Sequence, residues 1–553
     1  MAHIKINKRE FDELVGQKIE EQRLDEEASF LGVHWNHVEG EKWDVEVYPN
    51  RPDLLSVEGL ARAYRGFFGV DTGIEGYNVK RGDISVDIHE SVDEVRPVIA
   101  GAVVRNLELS DRMINGLIQM QEKLHETIGR RREKLAIGLH DLSVLEPPFT
   151  YRAVEPEKVS FKPLEYDSHM QLGEILSEHE KGIKYSWILE DNDRYPIIED
   201  SEGKVLSFPP IINNQLTEVD TGTSEIFIDV TGNDRKSVVK ALNILVTALE
   251  ERGGVIESVE LDGEKMPELS PGEWKIDPEY ANRISGLELS RSEMMDRLKQ
   301  MKFGAEAGDE IKVEVPAYRT DIMHQYDLIE DIVIAHRYDN IQPELPEVDQ
   351  TAEENQLSDF SNILRDVLQG TGALETNTYI LSNKEKLFKR MNVEEKEVAE
   401  MSNALTEDYT VVRNWLLPSM MNVLKRNKHR SYPQKFFEVD DVSIPSESSY
   451  TGVRNCRKLA YVESHGDADF TDAREVLQVL ERDLGIQLEV RDVGKDCFRQ
   501  GRQGEIRCRG ERIGIIGELS GEVLEDWELE QPVSGFELNV YKLENYLKTE
   551  KKD

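Results

Sequence analysis

The sequence predicts an α+β chain of several domains, the last and largest of which is a mostly antiparallel sheet flanked by helices. Three observations carry this. The 553 residues exceed what one hydrophobic core organises, which points to about three to four domains. In the first two thirds, stretches of alternating apolar residues are interleaved with stretches of helical spacing. In the last third, several strand-like stretches follow one another with few helices between them, and antiparallel strands need no crossover helix.

Residues 1–85 read as a compact α/β unit. Phe11, Leu14, Val15 and Ile19 have helical spacing, and WDVEVYP alternates as a strand. Asn50–Arg51–Pro52–Asp53 then turns into a helix expected over Ser56–Phe68, with Leu60, Ala61, Tyr64, Phe67 and Phe68 on its apolar side. Residues 86–270 read as a longer mixed domain. SVDIH, VIAGAVVRNL, FIDVTG and VIESVELDG are strand-like, and two amphipathic helices are expected to stop at Gly129 and Gly253. Two segments here follow neither period, RRREKLAIGLHDLSVLEPPFTY and the stretch from YPIIED through SFPPIINN to FIDVTG.

Residues 271–345 read as a small winged-helix-like unit. Ser290 and Glu293 form a capping box that opens a short helix, Gly304 is expected to end it, and IKVEVP follows as a strand. PELPEVDQTAEENQ is a polar linker. Residues 355–545 then carry helix LSDFSNILRDVLQGTG, strand TNTYIL, and the strands KFFEVDDV, KLAYVESHG, QLEVRDV, EIRCRGERIGIIGEL and VSGFELNVYKL, with helix AREVLQVLERDLG among them. KTEKKD closes the chain as a charged tail.

Asp and Glu number 109 against 68 Lys and Arg, a net charge of −41 spread along the whole chain. Such a surface repels nucleic acid at long range in low salt, and it suits a salty cytoplasm where screening is strong. Local basic runs then stand out: Arg130 to Arg132, and Lys425, Arg426, Lys428, His429, Arg430 and Lys435. Each reads either as a phosphate contact or as a solvated loop or subunit contact. No apolar run approaches the roughly 20 residues that span a bilayer. The N-terminus lacks a signal-peptide core, so a cytoplasmic protein with no membrane partner is expected. The three cysteines form no CxxC pair, which excludes a cysteine zinc site and a disulfide framework.

Asp321, Asp327, Glu330 and Asp331 crowd one short stretch. Spacing of i, i+3 and i+4 brings the last three to one side of a helix, with Leu328, Ile329, Ile332 and Val333 on the other. Four carboxylates together call for a hard cation, Mg²⁺ before Ca²⁺. Acids are equally favoured in a first helical turn by its dipole, with no metal at all.

Taken in order, EVYPNRPDLLSVEGLARAYRGFFG, AIGLHDLSVLEPPFTY, SFPPIINN, VPAYRTDIMHQYDLIEDIVIAHRYDNI, VVRNWLLPSMMNVLKRN with KFFEVDDV, and GRQGEIRCRGERIGIIGELSGEVL with FELN resemble the β-subunit family of phenylalanyl-tRNA synthetase in its archaeal/eukaryotic form. The resemblance covers essentially the whole chain. It implies that Asp321, Asp327, Glu330 and Asp331 are Mg²⁺ positions of structural rather than catalytic character. It implies that the last domain has a class II synthetase-like fold. Phe436 stands where that class places a polar reader, and Asn539 ends a late strand with no arginine, so the ATP clamps are missing. The implied assembly is two α and two β subunits acting on tRNA(Phe), with ATP and phenylalanine bound at the α subunit.

The middle domain resembles the module that hydrolyses tyrosine wrongly attached to the tRNA. Its candidate residues are the polar ones in otherwise apolar motifs: His140, Asp141, Asn213, Asn214, Asp229 and Thr231. No general base is assigned; water held by amides and the tRNA's own hydroxyl would serve. The alternative reading is a non-enzymatic RNA-binding or interaction protein derived from a synthetase, which ester hydrolysis on mischarged tRNA would separate. A stand-alone adenylate-forming enzyme would require the missing clamps.

Overall fold

The computed structural model describes residues 2–550, which divide into two compact units between Leu345 and Pro346. Among the described residues the first carries three sheets of three strands or more and a two-stranded ribbon, Ser160–Phe161 with Met170–Gln171. In the N-terminal one, strand Lys42–Val47 lies between Ala2–Asn7 and Val33–Glu39 and is antiparallel to both. Helices Lys8–Val15 and Val57–Phe67 pack on it through Phe11, Trp35 and Tyr64, whose rings lie edge-on at 4.9 to 5.8 Å. The indole Nε1 of Trp35 donates to the Tyr64 hydroxyl at 3.0 Å, so both polar tips are satisfied inside the core. The first helix stops short of Ile19, because Gly16 adopts φ +83° and the Ile19 amide donates to the Asp12 carboxylate instead.

The second sheet has ten strands. Across it run Ile212–Asn213, Val205–Phe208, Tyr195–Glu199, Phe149–Val154, Ser85–Ile88, Val255–Leu261, Val98–Arg105, Ile226–Gly232 and Leu135–Asp141, with Glu264–Met266 beside Val255–Leu261. The two segments without periodicity are therefore strands. Leu135–Asp141 and Val205–Phe208 are almost wholly buried, so neither shows alternation. Helices Asp111–Glu126 and Arg235–Glu250 end three residues before Gly129 and Gly253; each glycine closes the turn that follows.

The third sheet joins Gly272–Ile276, Ile311–Val315 and Gly304–Glu306, with helices Pro278–Ser285, Arg291–Gln300 and Gln325–His336 around it. It has three strands where one was expected. The Ser290–Glu293 capping box is present. Gly304 opens a strand instead of ending the helix; the left-handed turn falls on Lys302 at φ +66°.

The second unit is a seven-stranded sheet ordered Leu374–Glu375, Gln434–Pro445, Val453–Ser464, Val533–Asn539, Glu511–Leu519, Phe498–Cys508 and Leu488–Arg491. Only its first pair is parallel. Helices Gln356–Gly370, Phe470–Leu484 and Val540–Glu550 cover one face, where Leu364, Leu368, Leu477 and Leu480 meet Leu459, Tyr461, Phe536 and Leu538. Helix Leu417–Asn427 puts Met420, Met421 and Leu424 against Val442, Ala460 and Val462 in a separate core. TNTYIL is not a strand, apart from Leu381 in the two-residue strand Leu381–Ser382. Thr378 turns its amide and hydroxyl to the Glu438 carboxylate, so no backbone ladder forms there. The expected tail begins inside the last helix, and residues 551–553 lie outside those described. Among the described residues no helix is long and apolar enough to cross a membrane.

Candidate active site in the ten-stranded sheet

Strand Ile226–Gly232 is sandwiched between Val98–Arg105 and Leu135–Asp141, antiparallel to both, and all seven of its residues are buried. Register pairs Phe227 with His140, Asp229 with Gly138 and Thr231 with Ala136. With a period of two these six residues share one face. Two polar side chains are thereby placed in the middle of an apolar sheet, at the wall of a cavity of about 250 Å³. Leu117, Ile137, Leu139, Phe208 and Val219 give it apolar walls, and Asn213, Asp229 and Thr231 give it polar ones.

Gly138 makes room for this arrangement. A Cβ there would sit 2.0 Å from Asp229 Oδ2 and 2.7 Å from His140 Nε2. His140 is buried with both ring nitrogens engaged, one 2.8 Å from Asp229 Oδ2 and the other 2.9 Å from Thr217 Oγ1. It orients Asp229 and does not line the cavity. The Asn213 amide donates to the Leu139 carbonyl at 3.2 Å. Asn214 lies outside the cavity: its amide donates to the Val205 carbonyl, and its carbonyl caps the turn Gln215–Thr217 by accepting from the Leu216 amide. Asp141 is also outside, accepting from the Ser143 amide and hydroxyl and from the Thr223 hydroxyl. Of the six residues chosen from sequence, Asn213, Asp229 and Thr231 converge on the cavity, and His140, Asp141 and Asn214 support its walls.

The cavity also contains residues the sequence did not single out. Ser207 Oγ is buried with no hydrogen-bond partner and lines it. Glu122 and Arg132 close one end. The Arg132 guanidinium donates to Glu122 at 2.6 Å and to the Ile211 carbonyl at 2.8 Å, and it lies over the Tyr185 ring at 4.5 Å. Burial alone would raise the Glu122 carboxyl; neighbouring His125 and Arg132 hold it well below the ordinary range. Burial pulls His125 down to about 4, so it is neutral at pH 7, and its Nε2 accepts from the Ile137 amide. Ser207 was findable by the rule that found Asn213, a polar residue inside the apolar run VLSF. Glu122 was not, since QMQEKLHE looks like any solvated helix face.

Chemically, the cavity suits a ligand with an apolar ring and a polar atom. Its apolar walls take the ring, and Ser207 and Asp229 offer partners for polar atoms. No Cys or His lines it, so the arrangement suits attack by water on a bound ester more than a covalent intermediate.

The acidic stretch does not gather into a metal-ligating set. Arg319 already holds two of its carboxylates. The guanidinium donates from Nε and Nη2 to Asp321 at 2.9 and 2.7 Å, and from Nη2 to Asp331 at 2.6 Å. Asp327 is bound by its own helix start and accepts from the Met323 and His324 amides at 2.7 and 2.8 Å. Glu330 faces solvent. Asp331 is buried, so it does not share the exposed side expected from i, i+3, i+4 spacing. A buried guanidinium now supplies the positive charge that the four acids required, and the donor set as arranged does not fit a Mg²⁺ ion. Among the described residues, the group of acids and histidine close enough for a cation is instead Glu463, His465 and Asp472; Lys435 and the Tyr461 hydroxyl already contact its Glu463.

In the second unit, Phe436 is half-buried in an apolar core, and the Asn539 amide donates to Cys456 Sγ. Lys458 and Glu537, paired at 2.7 Å, line a neighbouring cavity. Of the basic runs, Lys425 pairs with Glu528 and Lys435 with Glu463, both at 2.7 Å. Arg130 and Arg131 are exposed beside buried Arg132, all three with left-handed backbones.

Comparison with known proteins places these features in context. Residues 274–338 match the tRNA synthetase B5 domain, and residues 341–540 match the phenylalanyl tRNA synthetase beta chain CLM domain. The phenylalanine–tRNA ligase beta subunit of Thermococcus sibiricus is 40% identical over 88% of this chain and 88% of its own. That of Archaeoglobus fulgidus is 41% identical over 92% and 93%. The crystal structure of an N-terminal fragment of the phenylalanyl-tRNA synthetase beta subunit from Pyrococcus horikoshii superposes with a TM-score of 0.59 at 37% identity, covering 61% of this chain and 99% of the fragment.

Proposed function

The chain belongs to the family of phenylalanine–tRNA ligase beta subunits, and from that premise we propose that it hydrolyses tyrosine mistakenly esterified to tRNA(Phe) while a separate α subunit attaches phenylalanine. The observation that carries the hydrolytic half is the cavity between Ser207, Asn213, Asp229 and Thr231. Phenylalanine and tyrosine differ by one hydroxyl, and an apolar pocket rejects an added hydroxyl only about 100-fold, so attachment needs a second check. A site with a buried, partnerless hydroxyl reads the difference in the opposite direction. Tyrosine satisfies Ser207 Oγ, whereas phenylalanine leaves it unpaired.

On this reading the ester carbonyl sits between the Asp229–Thr231 wall and Asn213, and water attacks the carbonyl carbon. The tRNA's terminal hydroxyl leaves with a proton. Arg130 and Arg131 stand exposed next in sequence to Arg132, which lines the pocket, and suit the phosphates of the incoming strand. The Mg²⁺ of the aminoacylation reaction accompanies ATP at the α subunit, because Arg319 already pairs with Asp321 and Asp331, Asp327 is taken by its own helix start, and Glu330 faces solvent. Support for an α-subunit catalyst comes from Phe436 and Asn539, neither of which can clamp a phosphate. The working assembly is then two α and two β subunits in the cytoplasm.

The division of labour has a direct test. Phenylalanine attachment to tRNA(Phe) is measured in high-KCl buffer with this chain alone, and then with the α subunit of the same organism. Attachment is expected only with both. Attachment by this chain alone would place an aminoacylation site in its own C-terminal sheet and overturn the assignment.

A further inference from the structure

Thr231 lines the cavity, yet its hydroxyl is not simply an unassigned polar atom. Arg96, 1% exposed, donates from Nε to Thr231 Oγ1 at 3.0 Å and from Nη2 to the Thr231 carbonyl at 2.8 Å. Nη2 also reaches the Arg132 carbonyl and Nη1 the Glu133 carbonyl, each at 3.2 Å. Among the described residues no carboxylate forms an ion pair with it. A buried arginine with no salt-bridged carboxylate is expensive, and burial, against the raising effect of nearby Tyr151 and Asp229, pulls its pKa down to about 10, so it stays charged at pH 7. Four of its five N–H donors go to one threonine and to the left-handed loop that carries Arg132.

With Arg96 donating to it, Thr231 Oγ1 is an acceptor on its buried side. Its own O–H hydrogen has no acceptor in the protein among the described contacts, and the residue borders the cavity. Thr231 is itself fully buried yet borders the cavity, so its unspent donor is open to an acceptor there, and the adjacent cation polarises it. A donor aimed at a developing oxyanion is the kind of group that accelerates ester hydrolysis.

We infer that Arg96 is a positioning residue that fixes Thr231 as a hydrogen-bond donor to the ester carbonyl of a tyrosyl-tRNA. This deepens the hydrolytic reading above and rests on it. Arg96 touches neither the ester nor the tRNA, so it acts through the groups it holds, and Thr231 is the one of these that borders the cavity with an unspent donor. It also shares the Arg132 loop, and through that loop the Ile211 carbonyl is held at the opposite wall.

The test uses the complete α/β complex and a double-variant cycle. Tyrosine release from tRNA(Phe) is followed under single turnover for wild type, Arg96→Met, Thr231→Val and the double variant. Arg96→Met and Thr231→Val are each expected to slow release by about 100-fold, the cost of losing one such donor. KM for the charged tRNA and the rate of phenylalanine attachment should be unchanged. The double variant should be no slower than either single one, and Arg96→Lys should recover part of the rate. Losses that multiply in the double variant would overturn the inference, since Arg96 would then act independently of Thr231. A folded Arg96→Met complex with the wild-type rate would overturn it as well. If Arg96→Met does not fold, the same cycle is run with Arg96→Lys. A wild-type complex that releases no tyrosine overturns the hydrolytic reading itself, and so is distinguishable from either failure.

Discussion

Arg319→Met lowers the unfolding free energy of the first unit by about 3–5 kcal/mol, the range for stripping one partner from a buried ion cluster. The guanidinium is the shared partner of Asp321 and Asp331, and both carboxylates lie largely out of water. Removing it leaves two like charges without compensation. Urea denaturation of wild type and variant measures the difference. The same experiment decides the metal question: with Arg319 in place, the wild-type midpoint should not move when Mg²⁺ is added or chelated. The Asp321 part of the pH dependence has a definite sign, while burial raises the Asp331 carboxyl and works against it. Burial alone would raise the Asp321 carboxyl, but Arg319 holds it down at about 2. Its folded value is thus below its unfolded value of about 3.9, and the ion pair stabilises fully above that pH. The contribution fades as pH falls toward 2, and the Arg319→Met protein lacks this acid-labile part. A wild-type midpoint that rises with Mg²⁺ and drops with chelator would show that a metal, not Arg319, neutralises the cluster.

Gly138→Ala abolishes tyrosine release, by about 100-fold or more, while phenylalanine attachment by the α/β complex continues. The added methyl would lie 2.0 Å from Asp229 Oδ2 and 2.7 Å from His140 Nε2, so the carboxylate must leave its place. Overpacking of a buried site costs about 1–3 kcal/mol. The first unit has a large core and should remain folded at that cost. Release and attachment assays on one preparation separate the two activities. Equal loss of both would mean that Gly138 serves the fold alone.

The strongest sequence signals were of two kinds. Amphipathic helices and capping boxes, such as Ser290–Glu293, follow from local spacing and were legible. So were the strands, whether alternating like Lys42–Val47 or continuously apolar and bounded by turns like Val98–Arg105. The expected stops at Gly129, Gly253 and Gly304 were displaced, because a left-handed turn can fall on Lys302 as well as on a glycine. TNTYIL was misread because its β-forming composition does not reveal that Thr378 would bind Glu438.

The site shows a similar split. Asp229 and Thr231 stood out as polar residues in an apolar strand, and the cavity includes both. Asn213 and Asn214 looked alike in sequence. Their neighbouring positions give one to the cavity and the other to a turn, a distinction only the register settles. Arg96, Glu122 and Arg132 come from separate segments, and nothing local marks them. The acidic helix carries the same lesson. Spacing brought Asp327, Glu330 and Asp331 together on paper, but Arg319 draws Asp331 inward and the helix start takes Asp327.

The central claim is that the cavity around Asp229 and Thr231 removes tyrosine from tRNA(Phe). It is tested most directly by supplying the wild-type α/β complex with tRNA(Phe) esterified separately with tyrosine and with phenylalanine, and timing release of each. Rapid release of tyrosine, with phenylalanine retained at least about 10-fold longer, is the predicted result. Equal rates for the two esters, or rates no faster than in buffer, would contradict the account.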